Sequence, residues 1–343
     1  MGQFVFLNKR PSAKIAVEGE QKEDEGEETY VINKKRAKMK VLVATEKPFA
    51  AAAVEGIKAE VEAAGNELAL LEKYTEKQQL LDAVADADAL IIRSDKVTAE
   101  VLDAAKQLKI VVRAGAGYDN IDLEAATAHG VVAENTPGQN ANAVAELVFG
   151  MLVSAVRNFY NGKAGTELMG KKLGILAFGN VGRNVARIAK GFGMDVYAYD
   201  AFCPADVIEA AGVHATKNQE ELFEVCDVVS LHIPATPETK QSINYDLVGK
   251  MHKGGILVNT ARKEVIDEAG LIKLLAERTD LKFVTDIMPD ADAEFKQFEG
   301  RYFSTPKKMG AQTAEANINA GIAAAKQINA FFKDGCTKFQ VNK

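Results

Sequence analysis

The stretch that most restricts how this chain can fold is Lys172 to Asp200, KLGILAFGNVGRNVARIAKGFGMDVYAYD. Leu173 to Ala177 has the length and continuous hydrophobicity of a buried strand. A turn containing Gly179 and Gly182 follows, then helical spacing from Val181 to Phe192, then a second apolar run, Val196 to Tyr199. Strand, helix and strand in that order make a βαβ unit with its two strands parallel. Small residues in the first turn let the backbone approach a pyrophosphate, which unpaired N–H groups at the helix start attract. Gly179, Asn180, Val181 and Gly182 are therefore the candidate phosphate cradle. Asp200 closes the second strand about 20 residues beyond the glycines, where a carboxylate meets ribose hydroxyls. Ala201, Phe202 and Cys203 follow it, so a 2′-phosphate would face a negative charge with no adjacent cation, which favours NAD over NADP.

The turn departs from Gly-x-Gly-x-x-Gly at one place, because Ala177 stands where the first glycine would be. Alanine can still fit if the turn keeps φ negative there. Glycines also punctuate α/β proteins that bind no nucleotide; it is the strand, turn, helix and terminal Asp together that give the pattern its weight.

A chain of 343 residues exceeds what one domain usually needs, so two domains are expected, and 47% hydrophobic residues suffice for their cores. The formal charge of −6 and the lack of a basic block argue against nucleic acid or an anionic membrane as partner. No apolar run is long enough to span a bilayer. Cys203, Cys226 and Cys336 are scattered without metal-ligand spacing, so no metal is expected, and reduced thiols in a cytoplasmic protein are the simpler reading. Residues 1–38 are rich in Lys and Glu and lack the apolar centre of a signal peptide; a flexible leader without chemistry is expected there.

From Met39 to about Pro137 strands alternate with helical patterns, and the strands are continuous apolar runs near 41–45, 68–71, 89–93, 110–113 and 131–133. Such runs between helices mean a parallel sheet covered on both faces. Ala141 to Arg157 is apolar nearly all round, as suits a buried helix crossing between domains. Alternation resumes with strands near 227–231, 255–259 and 281–286, and a long Ala-rich helix begins at Ala314, able to return to the first domain.

In an open parallel sheet ligands lie at the carboxyl ends of the strands. Arg93 and Ser94 end one strand and offer a guanidinium and a hydroxyl to a phosphate. Arg113 to Gly117 ends the next, where small residues expose backbone N–H groups to an anion. Asn259, Thr260, Ala261 and Arg262 end a third, and Asp286 a fourth. A single Arg is more often a surface ion pair than a ligand; three at strand ends beside a nucleotide fold are harder to dismiss.

The segments VVRAGAGYDNIDLEAATAHG (111–130), NTPGQNANAVAELVFGML (135–152), FGNVGRNVARIAKGFG (178–193), VVSLHIPATPETK (228–240) and LVNTARKEVIDE (257–268) resemble the D-2-hydroxyacid dehydrogenase family. Within it they are most similar to the short branch that oxidises D-3-phosphoglycerate and lacks a C-terminal regulatory domain. The resemblance implies an α/β fold of two domains with parallel sheets, a Rossmann nucleotide-binding domain at 139–309 inserted into a flavodoxin-like substrate domain at 39–138 and 310–343. It implies that Arg262 binds the substrate carboxylate and polarises the reacting oxygen. Arg93, Ser94 and Arg113 would meet the phosphate end, and backbone around Ala114 and Gly115 the carboxylate. Ala116, Asn180, Val181, Ile233, Thr260 and Ala261 would line the NAD site, with Asp200 on the ribose and Asp286 on the nicotinamide carboxamide. His232 matches a family histidine that is not the catalytic one. A homodimer through the nucleotide domain is also implied.

One departure concerns the chemistry itself. The family's base is a histidine shortly after a Thr-Pro, held by a glutamate, but Thr305-Pro306 is followed by Lys307, Lys308, Met309 and Gly310, and no histidine occurs after His252. The glutamate position reads Asp290-Ala291-Asp292. Lys308, or failing that Lys307, is the expected replacement; as a base it needs a pKa well below the ordinary value of about 10.4. A solvated surface pair is the bland alternative. Other readings are a hydroxypyruvate or glyoxylate reductase, a D-lactate dehydrogenase, or an NAD-sensing protein without turnover.

Overall fold

The computed structural model describes residues 38–343, and the expected leader, all but Lys38, lies outside them. The first half alternates β1 (Lys40–Thr45), α1 (Ala51–Ala63), β2 (Glu67–Glu72), α2 (Lys77–Val84), β3 (Ala89–Ile92), α3 (Ala99–Ala104), β4 (Ile110–Arg113), α4 (Leu123–Ala128) and β5 (Val132–Asn135). These strands form one parallel sheet in the order β2-β1-β3-β4-β5, the flavodoxin-like arrangement. β1, β3 and the first three residues of β4 are buried on both faces, which is why they read as unbroken apolar runs.

The helix α5 (Ala141–Val156) leads out of this sheet and buries Val148, Phe149, Met151 and Leu152 in the core of the second. There follow β6 (Lys172–Leu176), α6 (Asn180–Gly191), β7 (Asp195–Tyr199), α7 (Ala205–Ala210), β8 (His214–Ala215), α8 (Gln219–Val225), β9 (Val228–Leu231), α9 (Tyr245–Gly249) and β10 (Ile256–Asn259). The chain continues through α10 (Glu268–Glu277), β11 (Lys282–Thr285), α11 (Asp292–Phe295) and β12 (Tyr302–Ser304). All seven strands are parallel, ordered β12-β11-β10-β9-β6-β7-β8. The order reverses at β6, so the crevice beyond the carboxyl ends of β6 and β9 is where a ligand belongs in such a sheet.

α12 (Ala314–Asp334) returns to the first sheet, where Ala320, Ala324, Ala325 and Ile328 share a core with Val41, Ile57, Ile91 and Val112. Its backbone comes close to α1: a methyl built on Gly321 would lie 2.9 Å from Ile57, and one on Gly56 2.6 Å from Ile322. Both chain-terminal segments of the described part therefore build the lobe that holds β1 to β5.

One backbone condition is not met. Ala177 has φ of +80°, in the left-handed region rather than at negative φ. The cause is the tightness of the turn between β6 and α6. A methyl on Gly182 would stand 2.3 Å from the Ala177 carbonyl oxygen, so the first turn of α6 lies directly on residue 177. The chain keeps the glycine-type backbone with a non-glycine residue, at a cost of roughly 1–2 kcal/mol.

Candidate functional site

A cavity of about 640 Å³ opens beyond β6 and β9 and is lined by Ala116, Gly179 to Gly182, Asp200 and Ile233, among others. The N-terminus of α6 points its unpaired N–H groups along one wall, and Gly179, whose Cβ would meet nothing within 4 Å, leaves the backbone bare there. Asp200 is held by three backbone donors: its Oδ2 accepts from the Phe178 N–H at 2.7 Å, its Oδ1 from those of Phe202 and Cys203 at 2.8 and 2.9 Å. Each oxygen keeps lone-pair capacity for a ribose hydroxyl.

Sequence spacing missed one neighbour of this carboxylate. The Arg183 guanidinium stacks over Phe178 at 4.7 Å and reaches Cys203 Sγ at 3.5 Å, so a cation does stand near the ribose end, contributed by α6 and not by the strand. His232, also on the cavity wall, is fixed between the Ser230 hydroxyl at 2.9 Å and the Thr260 hydroxyl at 3.4 Å. Burial pushes its pKa down to about 3, which favours the neutral ring.

The ends of β10 and β11 carry the second part of the site. Asn259 is buried and shapes the turn after β10: its side chain accepts from the Ala261 N–H at 2.9 Å and donates to the Arg262 carbonyl at 3.0 Å. The Asp286 N–H donates to the Asn259 carbonyl at 3.1 Å, so the two strand ends are tied. Lys308 Nζ donates to the Ala261 carbonyl at 3.1 Å, and the Arg262 guanidinium donates to that same oxygen at 3.0 Å. Residue 308 taken as a whole is exposed. Its ammonium nevertheless stands against dense protein, and that desolvation, followed by the Arg262 charge, holds its pKa below the ordinary lysine range. Lys307 offers no such surroundings; its carbonyl accepts from the Thr305 hydroxyl at 2.8 Å, and its ammonium forms no ion pair among the described residues.

Asp286 is fully buried. Its Oδ2 accepts from the Gly310 N–H at 2.8 Å, while its Oδ1 has no partner among the described residues. Burial raises its pKa, against the opposing pull of Gly310 and of the Lys308 charge. An orphaned acceptor at this strand end suits a carboxamide N–H₂, and with the bare α6 start and the Asp200 carboxylate the residues fit NAD. Asp290 and Asp292, at the position where a glutamate would be expected, are engaged elsewhere: Asp290 with Lys263 at 2.5 Å, Asp292 with Lys296 at 2.6 Å and the Tyr302 hydroxyl at 2.7 Å. Asp286 is thus the carboxylate that acts most strongly on Lys308.

A smaller cavity, about 250 Å³, lies over the ends of β3 and β4 and is lined by Arg93, Ser94, Arg113, Ala114, Gly115 and Lys47. The Arg93 fork is largely engaged, donating to the Lys47 and Pro48 carbonyls at 2.9 Å and to Asn317 Oδ1 at 2.8 Å. Arg113 donates through Nε to the Arg93 carbonyl at 3.1 Å, which leaves its terminal nitrogens for a ligand. Burial lowers the pKa of both, and neither forms an ion pair among the described residues. Lys47, Gln312 and Asn317 also border the cavity and were not singled out from the sequence. Lys47 follows β1, so the strand-end rule that found Arg93 and Arg113 applied to it as well. Among the described residues no group of side chains could hold a metal ion, and no helix is long and apolar enough to cross a membrane.

The comparisons with known proteins agree with this geometry. A family model described as D-isomer specific 2-hydroxyacid dehydrogenase, NAD binding domain, matches residues 151–302. The chain is 36% identical to a D-3-phosphoglycerate dehydrogenase of Methanocaldococcus jannaschii over 78% of its length, and spans 54% of that relative. It is 37% identical to a hydroxypyruvate reductase of Thermotoga maritima, covering 76% of this chain and 90% of the other. Among solved structures it is similar to the NAD⁺-bound 3-phosphoglycerate dehydrogenase of Entamoeba histolytica, with TM-score 0.77, 50% identity, and 90% and 99% of the two chains covered.

Proposed function

This chain belongs to the NAD-dependent D-2-hydroxyacid dehydrogenase family, and we propose that it oxidises D-3-phosphoglycerate to 3-phosphohydroxypyruvate, with Arg262 orienting the substrate and Lys308 in place of the usual histidine. The observation that carries the reading is the convergence of Lys308 and Arg262 on one carbonyl oxygen, that of Ala261, just beyond the carboxyl end of β10. NAD, when bound, accepts the hydride that leaves the carbinol carbon. The neutral Lys308 amine takes the hydroxyl proton as the C=O bond forms, and its lowered pKa makes that neutral form accessible. Arg262 holds the substrate carboxylate and stabilises the negative charge that grows on the oxygen. Ile233 lines the nucleotide cavity, Thr260 and Ala261 would face the cofactor from the turn after β10, and Asp286 would offer its unpartnered oxygen to the carboxamide.

The phosphorylated substrate is supported by the cavity lined by Arg93, Arg113, Ser94 and Lys47, where the two guanidinium groups act on each other and neither forms an ion pair among the described residues. A second reading, reduction of unphosphorylated hydroxypyruvate, draws on the near full-length likeness to the Thermotoga maritima enzyme. We place the oxidation as the entry step to serine, in the cytoplasm and in a homodimer.

Consumption of NADH and of NADPH with 3-phosphohydroxypyruvate, hydroxypyruvate, glyoxylate and pyruvate separates these readings. A preference of orders of magnitude for NADH and the phosphorylated substrate is expected. Preference for hydroxypyruvate would transfer the assignment to the reductase, and NADH binding without turnover of any substrate would leave a sensing protein.

A further inference from the structure

The segment that brings Lys308 to the site runs from Thr305 to Thr313, between β12 and α12. It is fastened at Gly310. That residue is buried, its N–H donates to Asp286 Oδ2 at 2.8 Å, and Val144 of α5 stands beside it as well. A methyl built on Gly310 would lie 2.7 Å from Asp286 Oδ2 and 3.1 Å from Val144 Cγ2. Gly310 is not among the residues with positive φ, so its backbone would accept alanine; only space forbids it.

The hydrogen bonds around this point close a ring. Gly310 is bound to the Asp286 carboxylate, the Asp286 N–H to the Asn259 carbonyl, and the Asn259 side chain to both sides of the Ala261–Arg262 turn. Lys308 then returns to the Ala261 carbonyl only two residues before Gly310. We infer that Gly310 is a positioning residue: its missing side chain lets the loop dock on the Asp286 carboxylate and so fixes the Lys308 amine beside Arg262. The inference rests on the reading of Lys308 as the acid–base group. Asp286 gains by it a role besides cofactor contact, as the post that both the Arg262 turn and the Lys308 loop are tied to.

Displacing an acid–base group by about 1 Å costs on the order of 100-fold in rate. In the full-length chain, Gly310→Ala should lower kcat by about 10- to 100-fold with 3-phosphohydroxypyruvate and NADH, while NADH affinity by fluorescence titration stays near native. Combined with Lys308→Ala it should add nothing, since both changes remove one function. Val144→Ala makes room beside Gly310, so the Gly310→Ala/Val144→Ala pair should recover part of the rate; it also serves as the test protein if Gly310→Ala alone fails to fold. In the oxidation direction, with D-3-phosphoglycerate and NAD⁺, the alkaline-rising limb of kcat should move to higher pH in Gly310→Ala as the amine leaves Arg262, the other groups facing it being Asp286, Glu264 and Asp119. Native kcat in Gly310→Ala, a full multiplicative effect on top of Lys308→Ala, or a matching loss of NADH affinity would each overturn the inference. Near-native turnover in Lys308→Ala would instead sink the Lys308 reading, and the positioning role with it.

Discussion

Lys308 and Arg262 donate to the same oxygen, the Ala261 carbonyl, at 3.1 and 3.0 Å. Two cations held this close disfavour each other's charge, and lysine is the one that can yield a proton, since a guanidinium stays charged at any working pH. The pair therefore suits the proposed roles of a fixed cation and a tunable base.

Oxidation of the hydroxy acid should rise with pH along a limb set by Lys308, placed below the ordinary lysine value of about 10.4 because desolvation and then Arg262 lower it. Lys308→Ala should remove that limb and reduce kcat by about 10²- to 10⁴-fold, while NADH affinity holds. A pH–rate profile of both proteins with D-3-phosphoglycerate decides it; an unchanged profile in the variant refutes the assignment.

The same shift bears on stability. With its folded pKa below its unfolded one, Lys308 binds fewer protons in the native state across the interval between the two values, so native stability rises with pH through that interval. Lys308→Met, which removes the disfavoured ammonium, should raise Tm at neutral pH. That gain should shrink as pH approaches the unfolded lysine value, which calorimetry at two pH values would show. A gain that grows with pH would contradict the sign.

Arg262→Lys keeps the charge but loses the planar fork that can grip a carboxylate with two bonds. A loss of about 10²-fold or more in kcat/KM is expected, the range seen when one preorganised donor is removed from an oxyanion site. Steady-state kinetics over a wide substrate range would check it, and a near-native value would mean that Arg262 acts through charge alone.

Legibility from sequence divided along physical lines. β1, β3, β6, β9 and β10 were readable because strands buried on both faces are continuous apolar runs, and the lone Asp at the end of β7 marks the ribose position from spacing. The short helices α7 and α9 and the three-residue β12 left little periodicity to read. Arg183 escaped notice because its contact with Cys203 depends on where α6 lies against the loop after β7, a tertiary fact. The φ of Ala177 escaped for a different reason: residue type gives the preferred backbone, while the closeness of Gly182 to the Ala177 carbonyl sets the actual one.

That strained alanine can be relieved. Ala177→Gly removes a left-handed cost of roughly 1–2 kcal/mol and adds an unfolded-state entropy cost of about 0.5–1 kcal/mol, so a net gain of about 0.5–1 kcal/mol is expected. In a chain of this size the thermal midpoint should rise by only about 1 °C. Denaturant unfolding with and without NADH measures the gain; a loss of stability would mean that the alanine methyl contributes packing that outweighs the strain.

Asp200 is the residue on which discrimination between the two nicotinamide cofactors should turn. Its carboxylate repels a 2′-phosphate, yet the Arg183 guanidinium already lies near, at 3.5 Å from Cys203 Sγ. Asp200→Asn keeps a carbonyl oxygen able to accept from part of the Phe178, Phe202 and Cys203 N–H set and removes the negative charge. NADPH should then gain use by about 10-fold or more relative to NADH, and the preference should narrow further at low ionic strength, where Arg183 attracts the phosphate most strongly. Arg183→Ala in the Asp200→Asn background should reverse the gain. If NADPH use rises equally with and without Arg183, the discrimination resides in the Asp200 charge alone and the guanidinium has no part in it.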